Sequence, residues 1–255
     1  TWTQQIVAQI MLGPTDDIDL SAMSPWLDFR TNLDGKLAVL EAQRHRRFIK
    51  THLPADALPL VPEARYVYVA RDGRDVLWSM HNHHLHATEH LYAAVNNPDG
   101  LVGPPFPTEV PDVVPYFRAW LAGNGAPWWP FWDNVRTWWA AREQPNVLLV
   151  HFNDLKRDLD GGMRRIAAFL DVAVDEARWP QQVARCTFEH MKANAERFAP
   201  RGGLPWEGGA QTFINKGSNG RWRDLLTADD IARYEATALA ELGPACARWL
   251  AQGAA

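Results

Sequence analysis

A chain of 255 residues, 47% of them hydrophobic, can fill one substantial α/β core, which excludes a disordered tail and a small disulfide-stapled module. Its 30 acidic residues against 26 Lys and Arg give a net charge of −4 at pH 7. That balance excludes a protein that coats nucleic acid with a broad basic face, but it leaves room for a local pocket that grips one anion.

Taken in chain order, the sequence starts at Thr1 without a methionine, directly in a helical pattern. Ile6, Val7, Ile10 and Met11 recur at helix spacing over residues 2–12, and Gly13-Pro14 stops the run. A helix that opens on the first residue leads us to expect further chain upstream, and no secretory signal is read here. Residues 34–43 read as a second helix, and Arg47-Phe48-Ile49-Lys50 as a short strand that Thr51-His52-Leu53-Pro54 leaves. Arg65-Tyr66-Val67-Tyr68-Val69-Ala70 is a continuous β-branched and aromatic run, the pattern of a parallel strand buried on both faces. Arg71-Asp72-Gly73-Arg74-Asp75 breaks it, and Asp72 is placed to cap the helix that follows. Residues 96–115 read as a long loop, 127–143 as a Trp-rich helix and 147–152 as a second buried strand. Helices near 160–170, 175–185 and 187–193, a Gly-rich stretch at 199–220 and a capping signal at Thr227-Ala228-Asp229-Asp230 complete the chain. Strands alternating with helices imply a parallel sheet with crossover helices in a single domain.

Three constellations carry chemistry. Lys50-Thr51-His52 lies at a strand end, where α/β sheets open onto their ligand crevice. A histidine there can take a proton from a hydroxyl, and a lysine two residues earlier projects from the same face to neutralise a departing anion. The plainer reading is a turn histidine and a surface lysine. Arg71 ends the buried strand and Ser79 lies two turns into the next helix, a geometry suited to a phosphate; the plainer reading pairs Arg71 with Asp72 or Asp75. The third is Phe213-Ile214-Asn215-Lys216-Gly217-Ser218-Asn219-Gly220, whose backbone could form an anion nest or simply a surface loop. The run His81, His83, His84, His86 and His90 offers i, i+4 spacing, but no acidic or cysteine partner joins it, and no metal site is assigned.

These pieces occur in one order with matching surroundings. Thr1-Trp2, Pro25-Trp26-Leu27-Asp28-Phe29, Ile49-Lys50-Thr51-His52-Leu53-Pro54 and Tyr66-Val67-Tyr68-Val69-Ala70-Arg71-Asp72-Gly73-Arg74-Asp75-Val76 come first. Phe152-Asn153-Asp154-Leu155-Lys156, Thr187-Phe188-Glu189-His190-Met191-Lys192 and Lys216-Gly217-Ser218-Asn219-Gly220-Arg221-Trp222 follow. Together they resemble the cytosolic-type sulfotransferases that use 3′-phosphoadenosine 5′-phosphosulfate (PAPS) and release PAP. The resemblance implies a P-loop NTPase-like three-layer fold with a central parallel sheet, and sulfuryl transfer to a hydroxyl of a small, apolar or aromatic acceptor without a metal. It implies His52 as base, Lys50 on the transferring group, and Arg71 with Ser79 on the 3′-phosphate, over which Lys216 and Gly217 close. Trp2 would stack on adenine, with Phe152, Thr187, Phe213 and Ile214 around the base; Trp26, Phe29 and His83 would line the acceptor pocket.

The chain also departs from that pattern. The family's phosphate loop reads Lys-Ser-Gly-Thr-Thr-Trp, of which only Thr1 and Trp2 are present, so the N-terminal strand and most of the loop are expected upstream. Asn215 stands where Arg is usual, Phe152 where Tyr is, and Cys186 where Thr is. The family's dimer motif is degenerate at Arg223, Thr227-Ala228 and Ala232, which leaves the oligomer open. Cys186 and Cys246 form no disulfide framework, and no apolar run reaches the ~18 residues of a membrane span, so a cytoplasmic protein with no nucleic-acid or membrane partner is expected. A P-loop-type small-molecule or nucleotide kinase, and a PAP-binding module without turnover, are the alternative readings.

Overall fold

The computed structural model describes residues 1–29, 33–97 and 104–254. In chain order its elements are α1 (Trp2–Leu12), α2 (Leu20–Met23), α3 (Leu33–Ala42), β1 (Tyr66–Ala70), α4 (Gly73–Leu85), α5 (Glu89–Asn96), α6 (Val113–Ala122) and α7 (Phe131–Ala140). They continue with β2 (Val147–His151), α8 (Phe152–Arg157), α9 (Leu159–Phe169), α10 (Trp179–Arg185), α11 (Phe188–Ala193), α12 (Ala195–Phe198), α13 (Gly209–Phe213) and α14 (Ala228–Gln252). Two compact units share the chain: one holds Thr1–His52, His83–Thr108 and Met163–Gly217, the other Leu53–Asn82, Glu109–Gly162 and Ser218–Ala255.

The second unit carries the sheet. The two buried apolar runs pair in parallel, with Tyr66 opposite Val147 and Ala70 opposite His151. Side chains of α4, α6, α7 and α14 fill its core, where Trp132, Phe117 and Leu77 are sealed from solvent. Trp138 of α7 stacks on Tyr68 of β1 at 5.2 Å, so most of the tryptophans in the predicted Trp-rich helix are core material. That helix is shorter than predicted: Trp128 and Trp129 precede it, because Pro130 fixes its start. Asp72 caps α4 as expected, accepting from the Arg74 N–H at 2.8 Å. Thr227 and Asp230 form a reciprocal capping box on α14, and Arg118 forks onto Asp230 at 2.8 and 2.9 Å. Gly243, at φ 72°, together with Pro244 kinks α14.

In the first unit α1 turns Ile6, Ala8 and Ile10 inward, and Ala8 meets Ile18, Leu20, Met191 and Phe198. The strand expected at Arg47–Lys50 is not formed. A single parallel bridge joins Trp26 to Lys50, held by the Leu27 N–H on the Lys50 carbonyl (2.9 Å) and the Lys50 N–H on the Pro25 carbonyl (3.1 Å). Arg47 and Ile49 are exposed, so no second apolar face exists to extend the pairing. Among the described residues no helix is long and apolar enough to cross a membrane.

Candidate active site

The bridge brings four predicted residues together in the first unit. Trp26 is their hub: the Lys50 ammonium lies 4.4 Å over its ring, His52 meets it edge-on at 4.4 Å and Phe29 tilts against it at 4.7 Å. The His52 backbone N–H donates to both carboxylate oxygens of Asp28, each at 3.2 Å. Burial of the His52 ring, then the neighbouring Lys50 charge, hold its pKa down to about 3 against a pull from Asp28. Burial brings Lys50 down to about 8, again with Asp28 pulling the other way. At neutral pH the pair is a neutral imidazole, able to accept a proton, beside a mostly charged ammonium.

His83, at the end of α4, stands within an aromatic group, 5.0 Å from Phe213 and 5.6 Å from Trp206. Its Nδ1 and the Trp206 Nε1 are buried and have no hydrogen-bond partner among the described residues. Burial and the Lys50 charge lower His83 to about 4. With His52 and His83 both held neutral below the ordinary 6.5, the unfolded chain binds more protons in acid, so stability is expected to fall as pH drops from 6.5 toward 4. Replacing His83 with Phe should flatten the fall in Tm over that interval, as read by thermal denaturation. His81 and His84 are committed elsewhere, to the Pro111 and Pro107 carbonyls at 2.9 and 2.6 Å.

Trp2 donates its indole N–H to the Cys186 carbonyl at 2.7 Å and, with Ile214, packs against the Ala8–Phe198 cluster. Cys186 therefore offers its carbonyl; its thiol is buried and pushed up to about 12. Thr187 caps α11, accepting from the His190 N–H at 3.2 Å. Gly217, at φ 60°, lies against Phe188 so closely that a Cβ would come within 2.6 Å of that ring, so only glycine fits. Lys216 is exposed, and Asn215 is half-buried.

In the second unit the sequence left Arg71 a choice of partners. Arg74 takes Asp72 through Nε at 3.0 Å and Nη2 at 2.7 Å, and Asp75 accepts from the Gly220 N–H at 2.7 Å. Arg71 instead donates to neutral acceptors: Nε to Asn219 Oδ1 at 2.9 Å, and Nη2 to Ser218 O at 2.9 Å and Asn219 Oδ1 at 2.6 Å. Its guanidinium stacks 4.3 Å over Phe152. Among the described residues no carboxylate reaches ion-pair distance of Arg71, and its Nη1 has no partner. A half-buried cation held in place by neutral acceptors, with the charges of Asp75 and Asp72 felt only from beyond ion-pair distance, fits an anion. Ser79 follows two turns along α4 and is half-buried. The sequence reading did not assign Asp28, Trp206, Ser218 or Asn219. Three of them lie inside quoted motifs, whereas nothing local marks Trp206.

A cavity of about 670 Å³ lies elsewhere in the first unit, lined by Asp16, Asp17, Asp19, Glu196 and Arg197; its carboxylates have the wrong sign for an anionic donor. Among the described residues no His, Cys, Asp or Glu group is arranged to hold a metal.

Known proteins are similar to this chain in sequence and in fold. Residues 1–243 match the sulfotransferase domain family. A glycolipid sulfotransferase of Mycobacterium tuberculosis is 32% identical over 266 residues, covering 92% of this chain and 78% of its own. Sulfotransferase 1B1 of Mus musculus is 29% identical, covering 74% and 59%. In fold, the crystal structure of retinol dehydratase in a complex with retinol and PAP aligns with a TM-score of 0.71 at 23% identity, over 94% of this chain and 76% of that one. The mixed α/β architecture with its small parallel sheet is therefore the sulfotransferase fold, and the chain belongs to the sulfotransferase family, in the class of PAPS-dependent enzymes.

Proposed function

We propose that the chain moves a sulfuryl group from PAPS to a hydroxyl of a small, apolar or aromatic acceptor. His52 takes the acceptor proton, and Lys50 stabilises the oxygen left on PAP. Arg71 and Ser79 hold the 3′-phosphate, and Lys216 and Gly217 cover it. Thr1, Trp2, Phe152, Cys186, Thr187, Phe213, Ile214 and Asn215 belong to the nucleotide site. Trp26, Phe29 and His83 face the acceptor.

The observation that carries this reading is the Trp26 hub, which gathers a neutral His52 and a charged Lys50 on one aromatic ring. Sulfuryl transfer needs those two things: a base for the entering hydroxyl and charge neutralisation on the leaving phosphate. The aromatic walls supply apolar area with defined geometry for an acceptor. Two free buried cysteines fit a reducing cytoplasm.

Two measurements test it together: calorimetric affinity for PAP against ADP, and transfer from PAPS to a panel of phenols and aliphatic alcohols. Tighter PAP binding with transfer to at least one member is expected. PAP binding without transfer to any member would reduce the protein to a binding module. Preference for ADP would remove the donor assignment.

A further inference from the structure

We propose that Asp28 is a positioning residue of the reaction, holding the Lys50–His52 segment so that base and leaving-group lysine are presented together. This rests on the roles given above to Lys50 and His52.

The argument starts from the backbone. Across the Trp26–Lys50 bridge the two segments pair as a parallel ladder, Lys50 donating to the Pro25 carbonyl and accepting from the Leu27 N–H. A ladder that continued would next send the His52 N–H to the Leu27 carbonyl. It goes instead to the Asp28 carboxylate, with both oxygens at 3.2 Å. A side chain therefore ends the ladder where the base begins, and the chain turns away without leaving the His52 N–H unpaired.

A carboxylate does more than an amide oxygen would. Asp28 is the acidic group whose field reaches Lys50, His52 and Lys36, and Lys36 itself donates to the neighbouring Phe29 carbonyl. The other titratable side chains facing Lys50 are His52 and His83, neither of which favours its charge. Asp28 thus opposes the burial that brings Lys50 to about 8. Without it, Lys50 loses its proton at lower pH, whereas His52 stays neutral across the working range.

The test separates acceptor from charge. Asp28→Asn keeps an oxygen for the His52 N–H and removes the charge; the alkaline limb of kcat is expected to move down by about one pH unit. At pH values above that limb the rate should fall roughly tenfold, with acceptor KM little changed. Asp28→Ala should lose more, and Asp28→Glu should restore the position of the limb. An Asp28→Asn enzyme with the wild-type pH profile and kcat overturns the inference, as does a loss that appears only in KM. If Lys50→Ala leaves kcat unchanged, it is the underlying role of Lys50 that fails. Melting curves of all variants, and the Glu variant above all, distinguish a misfolded chain from a mispositioned base.

Discussion

Replacing His52 with alanine is expected to lower kcat by ~10²–10⁴-fold, the usual worth of general-base catalysis, while PAP affinity stays close to wild type. The geometry separates the two readouts. The His52 ring packs edge-on against Trp26, and the backbone bond from its N–H to Asp28 survives any side-chain change. A pKa of about 3 makes His52 a weak base in the free protein. Burial and the Lys50 charge are the causes, and an anionic donor placed near Lys50 opposes the second of them. Binding of the donor should therefore raise both His52 and Lys50, with proton uptake near pH 8, where free Lys50 titrates. The rate is read from PAP released in single-turnover mixing and the affinity from calorimetry, with circular dichroism to confirm folding. A folded His52→Ala protein that transfers sulfuryl at a near-normal rate would remove His52 from the mechanism.

The residues that could be assigned from sequence are those whose chemistry is set by their own segment. Asp72 as a cap, the Thr227–Asp230 capping box and the parallel pairing of the two β-branched runs are local consequences of residue type, and each is found in the structure. What could not be read depends on contacts made far along the chain. Arg71 had two adjacent carboxylates to choose from, and its actual partners, Ser218 and Asn219, lie nearly 150 residues on. The choice was decided by Arg74, which saturates Asp72 while stacking 3.9 Å over Trp222, again a distant residue. Asp28 was visible as a letter in a motif, but its use as the stop on a one-bridge ladder requires knowing that Arg47–Lys50 fails to extend as a strand. Trp206 had no signal: it sits in a Gly-rich stretch, and only folding places it on His83.

Arg71→Ala is expected to weaken PAP by ~10²-fold while leaving 5′-AMP little affected, because a hydrogen bond to a charged group contributes about 1.5–3 kcal/mol and Nη1 is the nitrogen left to make it. AMP differs from PAP only by the 3′-phosphate, so the ratio of the two affinities isolates the group Arg71 is proposed to hold. In the wild type the guanidinium is oriented before any ligand arrives, by Asn219 at 2.9 and 2.6 Å, by Ser218 at 2.9 Å and by the face of Phe152. Little ordering cost then remains to be met on binding, and the charge is not already neutralised by contact with a carboxylate. Arg71→Lys keeps the charge but neither the fork nor the flat stacking face, so it should fall between wild type and alanine. Phe152 contributes a ring for that stack. Equal weakening of PAP and AMP would mean that the substitution disturbed the nucleotide site as a whole. Unchanged PAP affinity in a folded variant would mean that the 3′-phosphate is bound elsewhere.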